Sequence, residues 1–226
     1  MASIDPKDLL TAGAHFGHKT SRWHPKMAQY IHGVRGDVHI IDLIQTATLL
    51  EVALTSVEKA VAGGKQVLLV GTKRQAHDPI RKVAQEHGQP YVVERWLGGM
   101  LTNWNTMIGR IKKLKKLEEQ MANGELEAKY NKLEVQRFQE EIDHLNHVFG
   151  GVKDMKGMPG LVFVVDVNRE QTAIQEAKKL GIPVIALVDT NVDPSAIDFP
   201  VPANDDAIKT IEFVLDQIAA AIATGS

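Results

Sequence analysis

The hydrophobic pattern along the chain alternates between two kinds of segment. Continuous apolar runs of strand length occupy residues 66–71, 90–93, 161–166, 183–188 and 199–201. Segments with apolar residues at helical spacing occupy 46–62, 74–87, 168–180 and 205–222. Because the strands of a buried parallel sheet are apolar throughout and alternate with helices that cover both faces, we predict an α/β fold with a three-layer parallel sheet of the flavodoxin or Rossmann type.

The N-terminal segment adds two weaker elements. Asp5-Pro6 combines a capping residue with proline at the first helical position, which predicts a short helix over residues 6–12. A polar, histidine-rich stretch follows, and residues 37–42 (DVHIID) then alternate as a strand.

Residues 105–150 interrupt the alternation of strands and helices. One helical stripe contains Met107, Ile111, Leu114, Leu117 and Met121, and a second contains Tyr130, Leu133, Phe138, Ile142, Leu145 and Phe149. Between them Asn123-Gly124 marks a turn. Because both helices have narrow apolar seams and charged outer faces, we predict an inserted antiparallel coiled-coil helical hairpin that projects from the body. The body then consists of residues 1–104 and 151–226.

The composition excludes several classes of protein. Hydrophobic residues make up 44% and charged residues 24%, which is typical of globular proteins, and no apolar run is long enough to span a bilayer. The N-terminal sequence has no feature of a signal or transit peptide, so we expect no membrane association. With no cysteine, the chain has neither disulfides nor a thiolate metal site.

Positive charge is concentrated in the middle of the chain. The net charge is −2, yet residues 65–116 contain eleven lysines and arginines against three acids, whereas residues 118–226 contain nineteen acids and nine bases. This asymmetry favours one face that binds a polyanion. The alternative is a surface on which opposite charges pair with each other.

Side chains suited to RNA lie within this basic segment. Lys73-Arg74 begins a predicted helix, where backbone amides also attract phosphate, and further cations on the first hairpin helix are Arg110, Lys112, Lys113, Lys115 and Lys116. Aromatic and amide residues are interleaved with them at Trp96, Asn103, Trp104 and Asn105. Lysine and arginine hold phosphates, while tryptophan and asparagine stack on or hydrogen-bond irregular RNA. The alternatives are a solvated helix face for the lysines and a core position for at least one tryptophan.

A second candidate site lies where strands end. Asp166 and Asp189 follow predicted parallel strands and Asp205-Asp206 opens the last helix, so these carboxylates converge on one edge of the sheet. If the loop carrying His18 folds over that edge, His18, Asp189 and Asp205 form a site for a divalent cation, zinc or magnesium. The alternative is that these aspartates cap helices and turns.

Signatures of catalysis are missing from the sequence. GTKRQ after the strand 66–71 lacks the glycine spacing of a phosphate-binding loop, and Gly98-Gly99 lacks the dinucleotide pattern. No serine has a recognisable His/Asp context. Three hypotheses remain open on these residues alone: an RNA-bound structural component, a nucleotide- or metal-dependent enzyme that uses the carboxyl edge of the sheet, and a protein-binding scaffold.

Five blocks of sequence resemble one family in order and spacing. They are GAHFGHKTSRWHPKM (13–27), VLLVGTKRQA (67–76), RWLGGMLTNWNT (95–106), LGIPVIALVDTNVDP (180–194) and VPANDDAI (201–208). Over nearly its whole length, the chain resembles the family of bacterial small-subunit ribosomal protein two, the universal ribosomal family S-two.

The resemblance implies a non-enzymatic, cytoplasmic constituent of the small ribosomal subunit, with an α/β body and a coiled-coil hairpin bound to ribosomal RNA. It implies contacts with other small-subunit proteins and a part in anchoring ribosomal protein one, the OB-repeat protein that recruits messenger RNA. No cofactor and no small-molecule substrate is implied. By position, the residues implied in RNA contact or its support are Lys19, Arg22, Trp23, Lys26, Lys73, Arg74, Arg95, Asn103 and Trp104.

Overall fold

The structure is a computed structural model that describes residues 4–225. Its strands are β1 (Phe16–Lys19), β2 (Ile31–Arg35), β3 (Val38–Ile41), β4 (Val67–Val70), β5 (Tyr91–Val92), β6 (Leu161–Val164), β7 (Val184–Val188) and β8 (Phe199–Pro202). Its helices are α1 (Pro6–Ala12), α2 (Leu43–Ala62), α3 (Arg74–Glu86), α4 (Trp104–Ala122), α5 (Glu125–Lys129), α6 (Lys132–Phe149), α7 (Gln171–Lys179) and α8 (Ile208–Gly225).

Five parallel strands form the central sheet, in the order β5-β4-β6-β7-β8. Successive residues of β4 serve opposite faces: Val67 and Leu69 belong to one apolar cluster, and Leu68 and Val70 to the other. This alternation follows from the two-residue period of a strand. Since both faces are covered, every residue of β4, β6 and β7 is buried, as the continuous apolar runs predict.

Helices cover both faces of this sheet and give the three-layer arrangement. On one face the apolar cluster includes side chains of α2, α3 and α8. On the other it includes α7, α4 and α6, together with Met27 and Met100. The predicted α/β class with a three-layer parallel sheet is therefore confirmed. Among residues 4–225, no helix combines the length and hydropathy needed to cross a bilayer.

The N-terminal region contains a second sheet that the sequence analysis did not predict. β1, β3 and β2 form an antiparallel sheet in that order. β2 and β3 are joined by Gly36 and Asp37, which both have positive φ angles, 56° and 62°. Two such residues make the tight turn whose twist matches a hairpin. The pair Gly36-Asp37 is thus a signal that the sequence contained, although β1 and β2 are short and lack strict alternation.

The segment after Asn103 is helical, but its second half differs from the prediction. The predicted stripe started at Tyr130, whereas α5 ends at Lys129 and α6 starts at Lys132. Asn131 caps the start of α6. Its side chain accepts a hydrogen bond from the backbone amide of Glu134, and the Glu134 side chain accepts one from the backbone amide of Asn131, which together form a capping box. α4 and α6 contact each other through stripe residues that are buried: Met107, Ile111, Leu114, Leu117, Ile142, Leu145 and Phe149.

Candidate nucleic-acid interface and metal site

Lys73 is buried among carboxylates. It precedes the first residue of α3, and only 7% of its surface is exposed. Its Nζ lies 2.7 Å from Asp205 Oδ1, 2.7 Å from Asp206 Oδ1 and 3.4 Å from Asp166 Oδ2. Burial opposes the charge, but the attraction of Asp205 and its neighbours prevails and raises the pKa of Lys73. Lys73 is therefore a cation enclosed by its own chain, and its ammonium does not face solvent.

Asp205 is the more deeply buried of the two aspartates that lie 2.7 Å from Lys73. Burial, reinforced by the negative charge of Asp189, raises the pKa of Asp205 to about 7 even though Lys73 opposes the shift. The negative charge of Asp166 also raises the pKa of Asp205. The backbone of Asp166 has a φ of 69°, a left-handed conformation that aspartate tolerates better than most residues. The edge of the sheet thus concentrates negative charge, which Lys73 partly neutralises.

The crevice where such folds bind nucleotides is filled by the protein's own groups. The strand order reverses beside β4, since β5 pairs on one side of it and β6 on the other, and ligands of open α/β sheets bind at that point. Here the backbone N–H and hydroxyl of Thr72 donate to Glu170 Oε1 at 2.8 and 2.5 Å. A side-chain carbon at Gly71 would lie 2.6 Å from Ile80. These contacts disfavour the nucleotide-dependent enzyme.

Three side chains at the same edge have the arrangement of metal ligands. Ligand atoms of His18, Asp189 and Asp206 all lie within 4.8 Å of one another. His18 Nδ1 is 3.0 Å from Asp189 Oδ2, and His18 Nε2 is 3.7 Å from Asp206 Oδ2. The hydrogen bond to Asp189 raises the pKa of His18 despite partial burial. Asp205 was the expected third ligand; in the structure both aspartates contact Lys73, and it is Asp206 whose Oδ2 lies near His18.

Two of the implied RNA-contact residues share a cleft with this cluster. The cleft, of about 510 Å³, is lined by His18 and Asp189 and also by Lys19 and Arg22. Lys19 ends β1 and Arg22 lies in the following 3₁₀ turn, and both are exposed. Neither forms an ion pair with any residue in the range 4–225. Their charges are therefore available to a partner outside the chain.

Trp23 and Lys26 already have partners within the chain. The Trp23 ring packs against His39 with centroids 5.2 Å apart, yet 40% of Trp23 is exposed. Lys26 Nζ lies 2.8 Å from Asp193 Oδ2 and 2.8 Å from Ser195 Oγ. The contact with Lys26 holds the pKa of Asp193 below its usual range. Trp23 presents a partly open ring, while Lys26 links its turn to the loop after β7.

The loop RWLGGMLTNWNT is organised by one buried carboxylate. Glu176 of α7 is buried, and its two oxygens accept five hydrogen bonds from this loop. They come from the indole of Trp96 and from backbone amides, with the hydroxyl of Thr102 as well. Burial opposes ionisation, but hydrogen bonds from the Thr102 amide, Trp96 and further amides together lower the pKa of Glu176.

The remaining residues of this loop surround the hydrogen bonds that Glu176 accepts. Arg95 and Asn103 are exposed, and Asn103 precedes α4, where its Oδ1 accepts a hydrogen bond from the hydroxyl of Thr106. Trp104 is half-buried and packs on the apolar cluster, as does Trp96. Both tryptophans therefore support the fold, which was one of the two alternatives that the sequence left open.

The basic residues of α4 divide into paired and unpaired cations. Lys113 pairs with Glu141, and Lys115 Nζ lies 2.8 Å from Asp154 Oδ1. The other three are exposed and form no ion pair within the described part of the chain: Arg110, Lys112 and Lys116. Arg74 and Arg95 are likewise exposed and unpaired within residues 4–225.

Three acidic residues of these sites were missed or misassigned from sequence. Glu176 stands beside Ala173 and Ala177 on the buried face of α7, and a charge on an apolar stripe is the signal that could have identified it. Glu170 precedes the same helix and gives no such signal. Asp206 was named with Asp205, and no periodicity decides which of two adjacent aspartates faces the histidine.

Comparison with known proteins gives a consistent result. Residues 9–225 match the family profile described as "Ribosomal protein S2". A relative from Rhodopseudomonas palustris is 51% identical over 219 residues, which cover 97% of this chain and 66% of the relative. Relatives from Parvibaculum lavamentivorans and Mesorhizobium japonicum are 50% and 52% identical, and the matches cover 97% of this chain and 86% and 84% of theirs.

These three relatives carry the same description, "Small ribosomal subunit protein uS2". The chain spans 66% of the length of the Rhodopseudomonas palustris relative and a larger share of the other two.

Proposed function

Since the chain belongs to the ribosomal protein S2 family, whose members are structural proteins and not enzymes, we propose that it is a constituent of the small ribosomal subunit and binds ribosomal RNA through basic side chains. In this role it works in the cytoplasm, within the ribosome. Its partners are small-subunit ribosomal RNA and neighbouring ribosomal proteins, and it needs neither a cofactor nor a small-molecule substrate.

The observation that carries RNA binding is the set of exposed cations without an ion pair in residues 4–225. Among the cations that the sequence assigns to RNA contact, this set comprises Lys19, Arg22, Arg74, Arg95, Arg110, Lys112 and Lys116. An exposed cation free of internal partners can neutralise a phosphate and release a condensed counterion, which is the main source of affinity for RNA backbone. We leave Lys73 out of this set because its charge is enclosed by carboxylates. Lys26, Lys113 and Lys115 are weaker candidates, since each would have to exchange a carboxylate for phosphate. Trp23, Asn103 and Trp104 either support this basic surface or contact the RNA themselves.

The hairpin is proposed as an antiparallel coiled coil over residues 105–150, inserted into a body of residues 1–104 and 151–226. α4 has 19 residues and is therefore about 28 Å long. The connection to α6, residues 123–131, contains the five-residue helix α5. α4 and α6 contact each other, and Lys113 pairs with Glu141 across them, which supports a pair of helices; its antiparallel direction is proposed on the sequence pattern.

The cluster of His18, Asp189 and Asp206 is proposed as a site for a divalent cation. One imidazole and two carboxylates are a ligand set that zinc accepts, with a fourth position left for water. Magnesium is the weaker candidate because it prefers oxygen ligands alone. The bond between His18 Nδ1 and Asp189 marks where a metal would replace a proton.

A role in holding ribosomal protein one is proposed on the sequence resemblance alone. Co-precipitation of that protein by small subunits containing this chain, compared with subunits lacking it, tests this part separately from RNA binding.

Binding to small-subunit ribosomal RNA tests the main proposal. We expect saturable binding that excess transfer RNA does not displace, because a folded surface matched to one RNA adds to the sequence-independent attraction. Equal displacement by any RNA of the same length would contradict it, as would the absence of binding at low salt.

A further inference from the structure

The N-terminal sheet has one open face. Cross-strand partners in an antiparallel sheet point to the same side, so the register places Phe16, Ile40 and Gly33 in one row. Lys19, Val38 and Arg35 form the next row. No residue of these two rows is buried, and Phe16 is 48% exposed. The opposite face contains His39, which is buried against Trp23.

Phe16 of the first row contacts the neighbouring aromatic ring of His15. The rings of His15 and Phe16 lie 3.9 Å apart. Burial, with the positive charge of Arg35, lowers the pKa of His15. At Gly33 a side-chain carbon would meet no heavy atom within 4 Å, so the surface beside Ile40 is unobstructed.

The second row supplies charge. Lys19 and Arg35 both pair in register with Val38, one from each neighbouring strand, and both are exposed. Neither forms an ion pair within residues 4–225. Adjacent rows on one face are about 7 Å apart along the strands, which is within reach of lysine and arginine side chains. The face thus joins a flat aromatic surface to two flanking cations, and that combination suits a base and its phosphates.

We propose that this face of the β1–β3–β2 sheet is a stacking platform for an unpaired nucleotide of RNA, with a base on Phe16 and phosphates at Lys19 and Arg35. The proposal rests on the RNA-binding function proposed above and assigns it a second kind of contact. A base of any sequence has a face on which an aromatic ring can stack, so the platform recognises unpaired structure and not sequence. Charge complementarity favours RNA over an apolar protein partner.

The test compares variants of the full chain in binding to small-subunit ribosomal RNA and to a fully paired RNA duplex. Phe16→Ala should weaken binding to ribosomal RNA by about tenfold or more and leave the salt dependence and duplex affinity unchanged. Phe16→Tyr should retain binding, and Phe16→Leu, which keeps the apolar volume, should lose it as Phe16→Ala does. Arg35→Ala should lower both the affinity and the salt dependence.

Val34→Ala is the matched control, because Val34 is 56% exposed on the same strand but pairs with His39 on the opposite face. It should bind as the original chain does. Unchanged binding by Phe16→Leu while the original chain binds would overturn the platform and leave the proposed function intact. If Phe16→Ala prevented incorporation into ribosomal subunits without weakening RNA binding, the face would bind a protein, and the platform would also be overturned. If the original chain does not bind RNA, the proposed function itself fails.

Discussion

Glu176 accepts a hydrogen bond from the backbone amide of Gly99 at 2.7 Å and thereby joins α7 to the glycine pair of the loop RWLGGMLTNWNT. Gly99 has a φ of 87°, in the region that favours glycine, so the chain turns sharply at this contact. The same carboxylate holds Trp96 and Thr102. The loop between the sheet and α4 is therefore fixed by one residue 77 positions further along the chain.

Replacing Glu176 should destabilise the protein severely. Glu176→Ala leaves the indole and several amides without an acceptor, and we expect a loss of about 3–5 kcal/mol in the free energy of unfolding. Gln175→Ala, at the exposed neighbouring position, should change it by less than about 0.5 kcal/mol. Denaturant unfolding measures the free energy of unfolding of both variants. Equal values would mean that the hydrogen bonds to Glu176 contribute nothing to stability.

Glu170 should make stability depend on pH. Burial raises the pKa of Glu170 above its ordinary value of 4.5, although hydrogen bonds from Thr72 oppose the shift. At pH values above about 4.5, up to the raised pKa, the folded state then binds more protons than the unfolded state. The contribution of Glu170 to the free energy of unfolding is therefore greatest below pH 4.5 and declines as the pH rises through the raised pKa. Glu170→Gln should lack this decline. Unfolding free energies measured from pH 4 to 8 test it, and parallel curves for the two proteins would refute the assignment.

Lys73 and Arg74 are adjacent, yet their replacement should have opposite consequences. Lys73→Met removes the counter-ion of Asp205 and Asp206 and should cost about 3–5 kcal/mol at neutral pH, while the salt dependence of RNA binding by the folded protein stays unchanged. Arg74→Ala should leave stability within about 0.5 kcal/mol and reduce the salt slope by about one. Thermal unfolding and filter binding separate the two, and a reduced slope for Lys73→Met would place its charge on RNA after all.

The neighbouring aspartates Asp205 and Asp206 provide a matched test of the cation site. Asp206→Asn removes a proposed ligand and should weaken zinc binding by about tenfold or more, whereas Asp205→Asn leaves all three proposed ligands in place. Calorimetric titration with zinc, then magnesium, measures this. If Asp205→Asn abolished binding and Asp206→Asn did not, the ligand set expected from sequence would be restored.

The sequence predicted the central sheet well because its strands are buried on both sides. An apolar run such as residues 161–166 has few alternatives in a chain of this composition, and the helices between such runs follow from their period. β1 and β2 escaped prediction because one face of their sheet is open, so that polar residues and glycines interrupt the pattern. The convergence of Asp189 and the Asp205-Asp206 pair was predictable from parallel topology.

The choice of partner within each site was not predictable. Lys73 resembled a phosphate ligand by residue type and position, and only the fold places it among carboxylates. Whether a lysine of α4 is free or paired depends on residues of α6 and beyond that sequence spacing does not align.

The salt dependence of binding to small-subunit ribosomal RNA shows whether the unpaired cations hold phosphates, because each phosphate neutralised by a free cation adds to the slope of affinity against salt. We expect the triple variant Arg110→Ala, Lys112→Ala, Lys116→Ala to lower that slope by about two to three. The double variant Lys113→Ala, Lys115→Ala, whose charges are already paired, should lower it by less than about one. Equal slopes for the original chain and the triple variant would contradict the claim that the unpaired cations of this protein hold RNA.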